Sequence, residues 1–150
     1  MTMSTHKELP YETTLHVRDT CLCLHVQRAA RALARRFDEA LKPVGLTNGQ
    51  FSLLMSLNRP EPPRISDVAT LLAMDRTTLT ANLKPLERRG LVKVSPDEND
   101  KRSRRLTLLP AGEALLVKAL PIWTAEHAAI DRLLTHSDID RLREDLRSIS

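Results

Sequence analysis

Residues Ile65–Leu109 read ISDVATLLAMDRTTLTANLKPLERRGLVKVSPDENDKRSRRLTLL, and this stretch decides the fold. Ile65, Val68, Ala69, Leu71 and Leu72 recur at helical spacing and predict a short amphipathic helix with Ser66 near its start. Ala73-Met74 makes a tight connection, after which Asp75 offers a side-chain oxygen to the free amides of a second helix. That helix buries Leu79, Leu83 and Leu86 and stops at Gly90, where a left-handed residue ends helices at little cost. Its other face carries Arg76, Thr77, Thr78, Thr80, Ala81 and Lys84. Two short helices joined by a turn, the second polar outside, predict a helix-turn-helix whose second helix fits the major groove.

A hairpin wing is expected directly after this pair of helices. Leu91-Val92-Lys93-Val94 and Arg105-Leu106-Thr107-Leu108 each alternate with a period of two, as strands do. Between them runs a polar loop, Ser95 to Arg104, rich in turn formers. From Lys84 to Arg105 the cations are Lys84, Arg88, Arg89, Lys93, Lys101, Arg102, Arg104 and Arg105, against Glu87, Asp97, Glu98 and Asp100. The last four cations crowd into the descending arm, a pattern suited to phosphate contact and to an arginine entering a minor groove.

With these residues in view the chain resembles the MarR family of transcriptional regulators. The resemblance rests on Leu46-Thr47-Asn48-Gly49-Gln50-Phe51, Val68 to Leu72, Asp75-Arg76-Thr77-Thr78-Leu79-Thr80 and Leu86 to Val92. It continues through Asp97 to Arg102 and through Leu106-Thr107-Leu108 to Gly112, and it spans residues 23 to 134 in all. The aspartate followed two residues later by arginine in the wing is its most specific part. By resemblance Arg102 contacts the minor groove and Asp100 holds it in place. The resemblance also implies a homodimer on double-stranded DNA and a cleft for small aromatic acids or phenols.

Composition sets the outer limits. The 150 residues are one domain in size, and 41% hydrophobic content is enough for a core. A net charge of +4 permits a nucleic-acid partner without requiring one. Four glycines and 3% aromatics argue against an all-β sandwich, and long leucine- and alanine-rich segments favour helices. No apolar run approaches a bilayer span, and MTMSTHKELPYETT lacks a secretory core, so a cytoplasmic protein without a membrane partner is expected.

The flanks supply further helices. From Asp19 to Lys42, Leu22, Val26, Ala29, Ala30, Leu33, Phe37 and Leu41 predict one long helix ended by Pro43 and Gly45. Thr47 caps the next, with Gln50 completing a capping box. Pro110 opens another long helix, inside which Pro121 is expected to kink the axis or remove a backbone bond. Ser137 and Asp138 cap a last helix with Ile139, Leu142, Leu146 and Ile149 on one side.

The fold expected is therefore mainly α, a winged helix-turn-helix with a small β-hairpin wing. Residues 1–18 read as a flexible N-terminal arm and 47–109 as the DNA-binding domain. Residues 19–46 and 110–150 form a dimerisation region, because they hold more apolar positions than one small domain needs. Arg76, Thr77, Thr78, Thr80, Ala81, Lys84, Arg89, Asp100, Lys101, Arg102 and Arg104 are the candidate DNA contacts. A two-fold dimer would place two such helices on a pseudo-palindrome, most simply as a repressor.

Three other chemistries compete with this reading. A ligand cleft would draw on Phe51, Met55, Trp123 and His127, with Arg28 or Arg31 neutralising a carboxylate, although each is also an ordinary core or surface residue. Cys21 and Cys23 point roughly 200° apart on a helix, which excludes a bond between them in one chain. By resemblance Cys23 sits where the hydroperoxide-sensing branch keeps its reactive cysteine, though the only tyrosine is Tyr11 and position 27 is Gln. His16, Cys21, Cys23 and His25 invite a metal, but only Cys21 and His25 have helical ligand spacing. Further ligands would have to come from Glu126-His127, and no metal or cofactor is expected. A redox-sensing or metal-binding protein without a specific DNA role remains the alternative. No nucleophile elbow, phosphate-cradling glycine loop or zinc-protease motif occurs, so no enzyme is expected.

Overall fold

The computed structural model describes residues 8–150. In chain order it contains α1 (Tyr11–Thr20), α2 (Leu22–Leu41), a 3₁₀ turn (Lys42–Val44), α3 (Asn48–Ser56), α4 (Ile65–Leu71) and α5 (Arg76–Arg88). Strands β1 (Val92–Pro96) and β2 (Arg104–Leu108) come next, then α6 (Pro110–Leu133) and α7 (Ile139–Ser148). This is the mainly helical winged helix that the sequence predicts. Of the described residues, those up to Arg35 form one compact unit and Arg36–Ser150 form a second.

In the first unit two expectations are corrected. The single helix expected from Asp19 is instead a pair, broken at Cys21, whose ψ of 109° is extended. Asp19, Thr20 and Cys21 are all weak helix formers, and hydrophobic periodicity alone does not register such a break. The Cys21 carbonyl starts the new helix by accepting the His25 amide at 3.2 Å and His25 Nδ1 at 2.7 Å. The flexible arm read over residues 1–18 is helical from Tyr11 onward, and residues 1–7 lie outside the described residues. Pro10 precedes α1 with extended geometry, while Glu12 in the first turn and Arg18 in the last suit the helix dipole.

The second unit holds the core, with Leu41, Leu54, Val68, Leu79, Leu83, Leu86 and Leu106 fully buried. Its helices begin where the sequence signals them. Thr47 Oγ1 accepts from the Gln50 amide and Gln50 Oε1 accepts from the Thr47 amide, both at 3.1 Å, which closes the capping box of α3. Asp75 Oδ1 accepts from the Thr78 amide at 2.8 Å and fixes the start of α5. Gly90, at φ 70°, ends the same helix. Ala73 closes the preceding turn at φ 51°, a left-handed conformation unusual for a residue with a Cβ.

The two strands pair antiparallel from Val92↔Leu108 to Pro96↔Arg104, and an isolated bridge adds Arg64 beside Arg105. At the wing's base Leu109 donates to the Leu91 carbonyl at 3.0 Å. A Cβ on Gly112 would lie 2.4 Å from that same oxygen, so only glycine lets α6 leave the wing this closely. Helix α6 runs unbroken through Pro121, whose missing amide leaves the Val117 carbonyl without its usual partner. Asp138 caps α7 by accepting from the Asp140 and Arg141 amides.

Candidate nucleic-acid interface

Burial of Leu79, Leu83 and Leu86 against the core turns the opposite side of α5 to solvent. Arg76, Thr77, Thr78, Thr80, Ala81 and Lys84 are all exposed there, so the geometry brings together the helical candidates that the sequence singles out. Two of the three threonines have their hydroxyls engaged. Thr78 Oγ1 donates to Asp75 Oδ2 at 2.9 Å, and Thr80 Oγ1 donates to the Arg76 carbonyl at 2.7 Å. Asp75 thus receives both an amide and a hydroxyl from Thr78, and these bonds hold its carboxyl below the ordinary carboxylate range.

The wing carries Lys101, Arg102 and Arg104 in the open, with Arg104 reaching the Lys101 carbonyl at 3.4 Å. Asp100 Oδ1 accepts from the backbone amide of Arg102 at 3.0 Å. It therefore shapes the turn that presents Arg102 and leaves the guanidinium unheld. Arg89, a candidate DNA contact by sequence, is exposed and also donates to the Gly45 carbonyl at 2.9 Å. That bond ties the end of α5 to the loop after α2, a contact between positions too far apart for sequence spacing to reveal.

The charge that fixes the wing's attitude lies elsewhere. Asp97 is 4% exposed, at the start of the wing loop. Its Oδ1 accepts from Arg105 Nε at 3.2 Å, and Oδ2 lies 3.2 Å from Arg64 Nη2, an ion-pair distance without an aligned hydrogen bond. Desolvation pushes the Asp97 carboxyl up. The Arg105 hydrogen bond, the Asn99 amide and the charges of Arg105 and Arg64 outweigh that push and hold it below the ordinary range. Arg105 Nη1 also donates to the Pro62 carbonyl at 3.0 Å, and the Leu106 amide donates to the Pro63 carbonyl at 3.0 Å. The proline-rich segment before α4 is thereby laced to β2.

The ligand-cleft candidates divide. Phe51, Met55 and Trp123 line one apolar groove of about 550 Å³, together with Leu71, Leu72 and Leu120. Phe51 stacks on Trp123 with ring centroids 6.2 Å apart. His127 stays outside the lining and packs on Trp123 at 4.8 Å, with Nδ1 3.4 Å from Asp131. Arg28 belongs to the first unit, on an α2 surface with His25, Arg31 and Arg35. Glu126, a possible further metal ligand by sequence, pairs with Arg36 at 2.7 Å. Cys21 is half-buried at the helix break and Cys23 is exposed, both as free thiols, and Gln27 Nε2 lies 3.2 Å from Cys23 Sγ. Among the described residues no helix is long and apolar enough to cross a membrane.

Comparison with known proteins agrees with this geometry. The family model described as MarR family matches residues 46–103. The chain is 29% identical over 151 residues to the transcriptional repressor MprA of Escherichia coli (strain K12), covering 97% of this chain and 81% of that one. It superposes on the M. tuberculosis transcriptional regulator MosR in complex with DNA with a TM-score of 0.77 and 38% identity, covering 86% and 92% of the two chains. It also superposes on the transcriptional repressor CouR bound to a 23-mer DNA duplex, at TM-score 0.78 and 29% identity over 95% and 99%. The chain belongs to the MarR family of transcriptional regulators.

Proposed function

We propose that this protein is a homodimeric repressor that binds a pseudo-palindromic double-stranded DNA site. One observation carries the reading: a capped helix exposes a polar and basic face beside a wing whose open side carries Lys101, Arg102 and Arg104. Thr77, Thr78, Thr80, Ala81 and Lys84 meet base edges and nearby phosphates, and Arg76, Lys101 and Arg104 hold the backbone. Arg102 enters the minor groove from the turn that Asp100 shapes. MosR and CouR, solved on DNA, support the same mode of docking for this chain.

The dimer rests on apolar surface left open in one chain. Val117, Leu120 and Leu133 on α6 and Leu146 and Ile149 at the C-terminus are exposed, as are Val17, Leu22 and Leu33 on α1 and α2. Surfaces of this kind mark subunit interfaces. Helices α1, α2, α6 and α7 therefore form the dimerisation region, and the segment from α3 to β2 forms the DNA-binding domain. The groove beside Phe51 and Trp123 takes a small aromatic effector whose binding alters the spacing of the two α5 helices. Oxidation of the exposed Cys23 is the second route to release, favoured by its free thiol.

Duplex binding by wild type and Arg102→Ala, measured at several salt concentrations on fragments flanking the protein's own gene, tests the reading. A steep salt slope, one preferred fragment and a clear loss in the variant are expected. Equal, weak binding of every fragment by both proteins would reject it and leave a redox role for the cysteines as the alternative.

A further inference from the structure

Two of the three threonine hydroxyl protons on α5 are already committed, and this limits what the helix can read. A carboxylate and a backbone carbonyl only accept, so Thr78 and Thr80 must be the donors in their bonds to Asp75 and Arg76. Neither hydroxyl proton is left to donate to a base. Thr80 is β-branched, so anchoring Oγ1 on the preceding turn directs its γ-methyl away from that carbonyl. At helical spacing Ala81 lies on the side opposite Leu79, Leu83 and Leu86, with Thr80 at its flank. The exposed face therefore presents the Ala81 methyl opposite the core and the Thr80 methyl on its flank, among the polar Thr77 and Lys84.

We propose that α5 recognises the 5-methyl groups of thymine, with the Thr80 γ-methyl and the Ala81 methyl as the specificity-determining groups. In the major groove thymine alone among the four bases presents a methyl, so an apolar spot at a fixed register selects T over C at that position. The bond from Thr80 to Arg76 contributes orientation, and the bond from Thr78 to Asp75 keeps the first turn in register. Thr77 supplies the hydroxyl that makes no hydrogen bond among the described residues, and it remains able to donate or accept. This inference rests on the proposed DNA-binding function.

The test starts from a duplex selected by the protein from a random library, with each thymine replaced in turn by deoxyuridine, which differs only in lacking the methyl. At one or two positions per half-site, affinity is expected to fall about fourfold for each methyl withdrawn from contact. Thr80→Val, which keeps a methyl and loses the orienting hydroxyl, should still discriminate the thymine duplex from the deoxyuridine duplex at the matching position. Thr80→Ser should lose affinity for the thymine duplex and show no further loss on the deoxyuridine duplex at the matching position. Ala81→Gly should silence its own position in the same way. Equal binding of every deoxyuridine duplex, or thymine discrimination lost in Thr80→Val as fully as in Thr80→Ser, would overturn the proposal while leaving DNA binding intact. Failure to select any duplex would overturn the DNA-binding reading, and the methyl readout with it.

Discussion

Arg105 Nε meets Asp97 Oδ1 at 3.2 Å, inside a wing whose other charges are spread in solvent. This ion pair joins the two ends of the hairpin loop, and Arg64 extends it to the segment before α4. Removing the carboxylate leaves two guanidiniums facing each other with their compensating charge gone. Asp97→Asn is expected to weaken duplex binding with little change in helix content. In a double-mutant cycle its effect should largely vanish on an Arg102→Ala background, because both changes abolish the same wing contact. Additive losses would place Asp97 outside the wing's function.

Acid should loosen the same region. The carboxyls of Asp97 and Asp75 both titrate below their ordinary value of 3.8. A depressed folded value contributes stability that is present above the unfolded value and is lost as pH falls through the folded one. Both contributions are therefore intact at neutral pH and disappear below about pH 4. Thermal melts between pH 7 and about 2.5 are expected to show this loss, and Asp75→Asn, which still caps a helix, should reduce its amplitude.

Gly112 allows no side chain. A Cβ there would stand 2.4 Å from the Leu91 carbonyl oxygen and 2.7 Å from Leu108 Cδ1. Gly112→Ala is expected to cost about 1–3 kcal/mol, the usual range for overpacking, and to lower the denaturant midpoint without changing its slope. The obstacle is backbone, so neighbouring side chains cannot relieve it by changing rotamer.

Ala73 offers the opposite case. Its φ of 51° in the turn between α4 and α5 strains a residue with a Cβ. Ala73→Gly should stabilise the fold by up to about 1 kcal/mol, and Ala73→Val should destabilise it by more than that gain. Chemical denaturation of the two variants checks both signs.

The helical caps and the wing were legible in the sequence because each depends on near neighbours. Thr47 with Gln50, Asp75 with Thr78, and Gly90 after Arg89 are signals within four residues, and the structure places each one as read. Arg89, Asp97 and Arg105 carried their chemistry where the sequence could not show it. The Arg89–Gly45 and Arg64–Asp97 contacts join distant positions, so their partners emerge only after the chain has folded. Asp97 read as one more charge in a polar loop, and only its burial identifies it as the wing's internal anchor. The break at Cys21 was hidden for a different reason. The apolar spacing of α2 gives no account of Tyr11–Thr20, a helix that buries no residue.

Arg64 stands where two parts of the molecule are geared together. It is the N-cap residue of α4, with its amide 3.3 Å from Asp67 Oδ2, and its side chain reaches the wing through Asp97. A shift in the proline segment before it would turn the helix start and the hairpin as one linkage. Natural variation among Pro60, Pro62 and Pro63 would thereby retune the distance between the exposed face of α5 and the wing's Arg102. The exposed residues of α5 would stay unchanged, so on the proposed function the spacing of the preferred site would diverge while the helix surface itself was preserved.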